Sequence, residues 1–208
     1  MRKTLFFTIL LVLSSIAQQL RGQDFFEKQR ESWLKKAELY KPALIPTDRY
    51  PKRIVKIEKD QNAYQGWKSV PAGDMETFYQ TSTKETSGII IDLGEHMTGY
   101  FSFSLSPLRG VPDAPARFKF TFGEVPSEVV VPFDPYVGSL SRAWLQDETV
   151  TVTTVPSTIT IPRRLSFRYV KIELIGAPNY EFSISKMYCK AVTSVSTDPE
   201  ALPESVSP

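Results

Sequence analysis

The feature that most constrains this chain is alternation. Eight short segments, RIVKI, SGIIIDL, YFSFSLS, ARFKFTF, ETVTVTTV, STITI, FRYVKIELI and YEFSISKMYCKAV, alternate apolar with polar residues, and turn-forming residues bound each of them. Successive side chains of a strand point to opposite faces. Phe101, Phe103 and Leu105 therefore share one face and Ser102 and Ser104 the other, while Phe118, Phe120 and Phe122 oppose Arg117, Lys119 and Thr121. A strand with one dry face must bury it against a second layer. The pattern predicts an all-β protein, an antiparallel jelly-roll-like β-sandwich, with a closed barrel as the alternative architecture. At 208 residues, 41% of them hydrophobic, the chain is long and apolar enough for one such core.

The flanks read differently. Met1-Arg2-Lys3, an apolar run from Leu5 to Ile16, and small residues at Ser15 and Ala17 have the layout of a secretory signal peptide over residues 1–17. The apolar run is shorter than a bilayer span and no second one follows, so no membrane anchor is expected. The expected location is exported, periplasmic or extracellular. Residues 18–50 are expected to hold an N-terminal helix over 24–40, capped by Asp24 and carrying Phe26, Trp33 and Ala37 at helical spacing, then a linker broken by Pro42 and Pro46. The β-sandwich domain is expected over 51–192. A flexible tail follows at 193–208, where Ser, Pro and acidic residues dominate. Cys189 is the single cysteine, so no internal disulfide is possible; flanked by strand-like residues, it is expected to be a buried small hydrophobe.

Several chemistries are disfavoured by composition. With 25 basic against 23 acidic residues there is no polybasic field for nucleic acid. One histidine and one cysteine cannot build a zinc cluster, and no calcium-loop motif, phosphate loop or nucleophile elbow is present; no metal and no cofactor is expected. Calcium held by backbone carbonyls would leave no trace in sequence. The histidine, His96, lies in IIIDLGEHMTGYFSFSL beside Asp92 and Glu95, and an imidazole near carboxylates suits acid/base work. Gly94 and Gly99, however, bracket what reads as a six-residue hairpin connection between two strands, which puts His96 at an exposed turn. No catalytic residue is assigned.

The stretch VPFDPYVGSLSRAWLQDE is a long connection between strands, and its aromatic content argues against disorder. Aromatic faces stack on pyranose rings while Asp, Arg and Gln bond to hydroxyls, so Asp134, Tyr136, Arg142 and Trp144 are the candidate carbohydrate or interdomain contacts. Trp144 runs straight into the next strand and is expected near the sheet. Tyr136, between Pro135 and Gly138, is expected at the exposed part of the loop.

IIIDLGEHMTGYFSFSL, FTFGEV at 120–125, LQDETVTV at 145–152 and RRLSFRYVKIE at 163–173 together resemble the N-terminal β-sandwich region of bacterial α-L-rhamnosidase-like glycoside hydrolases, in the same order. In that family the sandwich precedes a helical toroid that carries the catalytic carboxylates. The resemblance implies a non-catalytic accessory module, or the front part of a longer exported enzyme, since the sequence has no counterpart of the toroid. It implies as partner a rhamnose-containing glycan or a neighbouring catalytic domain. Two other functions stay open: a free-standing carbohydrate-binding module, and a small glycosidase using two of Asp92, Glu95, Glu124, Asp134 and Asp147 as acid and base. Arg168 is expected to pair with Asp147, Glu148 or Glu124 on a neighbouring strand.

Overall fold

The structure, a computed structural model, describes residues 27–110, 115–138, 141–176 and 180–194. The expected signal peptide, the helix cap at Asp24, and the tail from residue 195 lie outside them. The chain divides into two compact units between Ala43 and Leu44. In the first, residues 27–39 form helix α1, with Trp33, Leu34 and Ala37 at the i, i+1, i+4 spacing of one helical stripe. Among the described residues, no helix is long and apolar enough to cross a membrane.

The second unit is an antiparallel β-sandwich. Among the described residues it has nine strands, β1 (Ile45–Arg49), β2 (Arg53–Lys59), β3 (Trp67–Gly73), β4 (Ile89–Arg109), β5 (Ala116–Gly123), β6 (Gln146–Val152), β7 (Ser157–Thr160), β8 (Leu165–Gly176) and β9 (Glu181–Thr193). Strand β4 organises them, because its two halves have different partners. Residues 89–99 pair with β8 on one side and with β2 on the other, giving the order β3-β2-β4-β8-β5-β6. Residues 99–109 pair with β9, and 102–105 also with β7, giving β7-β4-β9-β1. One strand thus belongs to both layers.

The crossing explains a departure from the sequence reading. Asp92 to Tyr100 is no hairpin connection; the chain runs through it as a single 21-residue strand. Between Asp92 and Met97 β4 advances five residues while β8 advances two, from Tyr169 to Phe167, so the extra residues form a bulge. Gly94 takes up the required backbone at φ +91°. At Gly99, which pairs with both Leu165 and Ala191, a Cβ would lie 2.2 Å from the Lys190 carbonyl oxygen, so only glycine admits β9 there.

The dry faces meet as the alternation predicts. Phe101, Phe103 and Leu105 of one layer pack on Phe118, Phe120, Phe122 and Phe167 of the other, with ring centroids 4.8 Å apart for Phe103 and Phe120 and 5.5 Å for Phe101 and Phe122. Burying each ring contributes about 1.5–3 kcal/mol relative to leaving it exposed. Cys189 sits in this core as expected, and burial pushes its thiol up to about 12, so it carries no thiolate near neutral pH. Helix α2 (Met75–Gln80), N-capped by Asp74 through the Thr77 amide, adds Phe78 to the core. A smaller cluster of Val55, Ile90, Val129 and Tyr169 lies under helix α3 (Ser127–Val130) on the outer face of the larger layer.

The segment 45–49, read as part of a proline-broken linker, pairs with β9 at the edge of the smaller layer. Pro46 lacks a donor, and an edge position is where a strand tolerates that.

Candidate functional site

Within IIIDLGEHMTGYFSFSL, the Asp92 carboxylate ties β4 to β2 and β8. Asp92 is 1% exposed, and its two oxygens accept from Arg168 at 2.8 and 3.1 Å, from the Gly94 amide at 2.7 Å and from Arg53 at 3.2 Å. Burial alone would raise the Asp92 carboxyl; the Arg168 hydrogen bonds, the Gly94 amide and the charges of Arg168 and Arg53 outweigh it and hold the group below 3.8, its ordinary value. A carboxylate clamped in that way neither donates a proton near neutrality nor reaches a substrate. Arg168 therefore pairs with Asp92, across the β4–β8 ladder, and not with Asp147, Glu148 or Glu124.

The other carboxylates are spread among separate partners. Glu95 lies 3.6 Å from Arg49, Asp147 is shared by Arg142 at 2.9 Å and Lys119 at 3.7 Å, and Glu124 faces His96 at 3.4 Å. His96 also exchanges a hydrogen bond with the Ser166 hydroxyl at 3.1 Å. Arg163 pairs with Glu148 at 2.8 Å, and the Ser166 amide donates to the Gln146 side chain at 3.2 Å. The four motifs of the sequence are thus joined to one another, Asp92 to Arg168, His96 to Glu124 and Ser166, Gln146 to Ser166. Among the described residues no group of three His, Cys, Asp or Glu is placed to share a metal ion.

The described residues of the long loop, 126–138 and 141–145, make defined contacts. Phe133 is its anchor, buried, with the Arg142 guanidinium 4.3 Å above its ring and Tyr136 against its edge. Arg142 also donates to the Leu145 carbonyl and to Asp147, so it ties the loop to β6. Asp134 is exposed at the turn between Phe133 and Tyr136. The two candidate rings trade the places expected of them. Trp144 is 78% exposed, standing out from a single 3₁₀ turn (Arg142–Trp144) rather than packing on the sheet. Tyr136 is half-buried, folded back over Gly138, where a Cβ would lie 2.1 Å from its hydroxyl.

Two cavities of about 130 Å³ each open beside these rings. The first is lined by Gln65, Trp67, Ser127, Glu128, Val131 and Tyr136. The second is lined by Glu124, Glu128, Trp144, Gln146 and Ser166 over Phe122 and Leu145. Glu128 is the wall they share. Its Oε2 accepts from the amides of Glu124 at 2.7 Å and Val125 at 3.4 Å, which fixes the carboxylate in place. Helix α3 comes this close to the sheet because Gly123 has no side chain: a Cβ there would meet Val129 Cγ1 at 2.9 Å. Ser127 donates to the Gln65 side-chain oxygen, linking α3 to the turn before β3.

Sequence reasoning found Tyr136 and Trp144 but missed Trp67, Gln65, Ser127 and Glu128. Trp67 opens a strand, and only its pairing opposite Lys59 brings it toward α3. The nearest local signal was GEVPSE, a glycine that admits a helix followed by a glutamate able to cap the turn.

Comparison with known proteins agrees with this architecture. A family model described as "Glycosyl hydrolase family 78 alpha-rhamnosidase N-terminal domain" matches residues 51–191. A solved structure, "rhamnosidase from Klebsiella oxytoca with rhamnose bound", superposes with a TM-score of 0.71 at 35% sequence identity. The match covers 82% of this chain and 35% of that one, so this chain spans about a third of the length of that rhamnosidase. No curated protein matches. The chain belongs to the family of N-terminal domains of glycosyl hydrolase family 78 α-rhamnosidases.

Proposed function

We propose that this β-sandwich is a non-catalytic module of an exported α-L-rhamnosidase-like hydrolase and serves glycan breakdown by packing against a catalytic domain or by contacting sugar. The observation that carries this reading is the state of its carboxylates. Asp92 is buried between two arginines, Glu95 and Asp147 face cations, and Asp134 lies exposed on the loop turn. Of the two carboxylates that line one cavity, Glu124 faces His96 while Glu128 accepts from two backbone amides, so neither is a free acid or base of the pair that glycoside hydrolysis needs across a cleft. Membership of an N-terminal domain family supports the same assignment. Export is inferred from the basic, apolar and small-residue layout of residues 1–17.

The full chain should release no nitrophenol from an aryl α-L-rhamnoside. Hydrolysis that persists through purification and disappears in both Glu124→Gln and Asp147→Asn would overturn the non-catalytic reading. Export is checked by fractionating cells that express the full chain, with the processed protein expected outside the cytoplasm and starting near Gln18; an unprocessed cytoplasmic chain contradicts it.

A further inference from the structure

We propose that the two cavities on either side of Glu128 form one cleft that holds two linked pyranose rings of a neutral saccharide. Size comes first. An apolar cavity of roughly 150 Å³ encloses one benzene molecule, so a cavity of about 130 Å³ that is open to solvent seats one face of a pyranose ring and leaves its remaining substituents in water. They share a wall, which suits two rings joined by a glycosidic bond better than two separate ligands.

The linings supply what a sugar ring requires. Trp67 and Tyr136 offer aromatic surface in the first cavity and Trp144 in the second, for the C–H faces of the rings. The side-chain oxygens of Gln65 and Gln146 already accept from Ser127 and from the Ser166 amide, which orients both side chains and leaves their NH2 groups to donate to sugar hydroxyls, one in each cavity. Glu128 has one oxygen held by two backbone amides, so its carboxylate is oriented before any ligand arrives and Oε1 is left to accept from sugar hydroxyls of either ring. Glu124 and Glu128 together repel an anion, which excludes uronic and sulfated sugars. Trp144 is 78% exposed, which leaves its ring face open to a ligand.

The cleft stands on its own geometry; only the choice of a rhamnose-containing sugar as ligand rests on the reading given under Proposed function. The test is a calorimetric or NMR titration of the full chain with a rhamnosyl-glucose disaccharide, methyl α-L-rhamnoside, and a neutral disaccharide lacking rhamnose. The disaccharide is expected to bind at millimolar concentration or below and more tightly than the monosaccharide. Trp144→Ala should weaken disaccharide binding roughly tenfold with an unchanged melting curve, since that ring is exposed, and Tyr136→Ala should weaken both ligands. Equal binding by both disaccharides, still lost in Trp144→Ala, supports the cleft while removing the rhamnoside assignment. No binding of either disaccharide, or binding indifferent to both substitutions, overturns the cleft. So does occupation of these cavities by a polypeptide segment of a catalytic domain that prevents sugar binding.

Discussion

Asp92 shows how a residue that looks catalytic in sequence serves the fold instead. Its neighbours in the chain, Glu95 and His96, suggested acid/base chemistry, but its partners in space are Arg168, 76 positions away, and Arg53. Breaking a buried ion pair by removing one partner leaves an uncompensated charge. Arg168→Ala is expected to cost about 2–4 kcal/mol in urea unfolding at neutral pH, less than for a fully buried pair because Arg168 is a third exposed and Arg53 remains. The pH dependence follows from the direction of the Asp92 shift. Its folded-state pKa lies below the ordinary 3.8, so its contribution is complete above that value and is lost as pH falls from there through the lower folded-state pKa. Wild type should therefore lose more stability than Arg168→Ala between about pH 5 and pH 2. An equal loss in the two proteins would show that the arginine does not hold the carboxylate.

The elements were legible where a local rule sufficed and hidden where register decided. The Phe101–Phe103–Leu105 and Phe118–Phe120–Phe122 alternations announced strands and the face each buries, and both faces lie in the core. The same rule could not show that Ile89–Leu93 and Tyr100–Leu105 are one strand, because Gly94 and Gly99 serve a bulge and a sheet crossing as well as they serve a turn. Neither could it foresee that Trp144 stands out and Phe133 turns in, since an irregular loop has no period. Two substitution pairs examine these points. Gly99→Ala, with backbone in the way of its Cβ, should destabilise by at least about 3 kcal/mol, whereas Gly88→Ala, strained at φ +88° but in open space, should cost about 1 kcal/mol. Similar losses would place the crossing elsewhere. Phe133→Ala should cost about 2–4 kcal/mol and loosen the loop, and Trp144→Ala less than about 0.5 kcal/mol, both read from melting curves. The reverse order would mean that Trp144 is the anchor.

In the whole sandwich, the four motifs singled out in the sequence lie within the stretch that matches family 78 N-terminal domains and join one another near the strand crossing, and the two cavities lie beside it, around α3 and the Phe133–Trp144 loop. The division follows from topology: a strand that serves two layers needs charge pairs and glycines along it, while loops and a short helix at its flank are free to shape a cleft. If Ile89–Arg109 is that common spine, neither half can open without the other. Native-state hydrogen exchange of the full chain reads this directly. Protected amides of residues 90–92 and of residues 101–105 are expected to report one opening free energy, equal to that of global unfolding in urea. Opening free energies that differ by about 2 kcal/mol or more between the two halves would contradict a single spine and restore two separate strands, with His96 and its carboxylates in the connection between them.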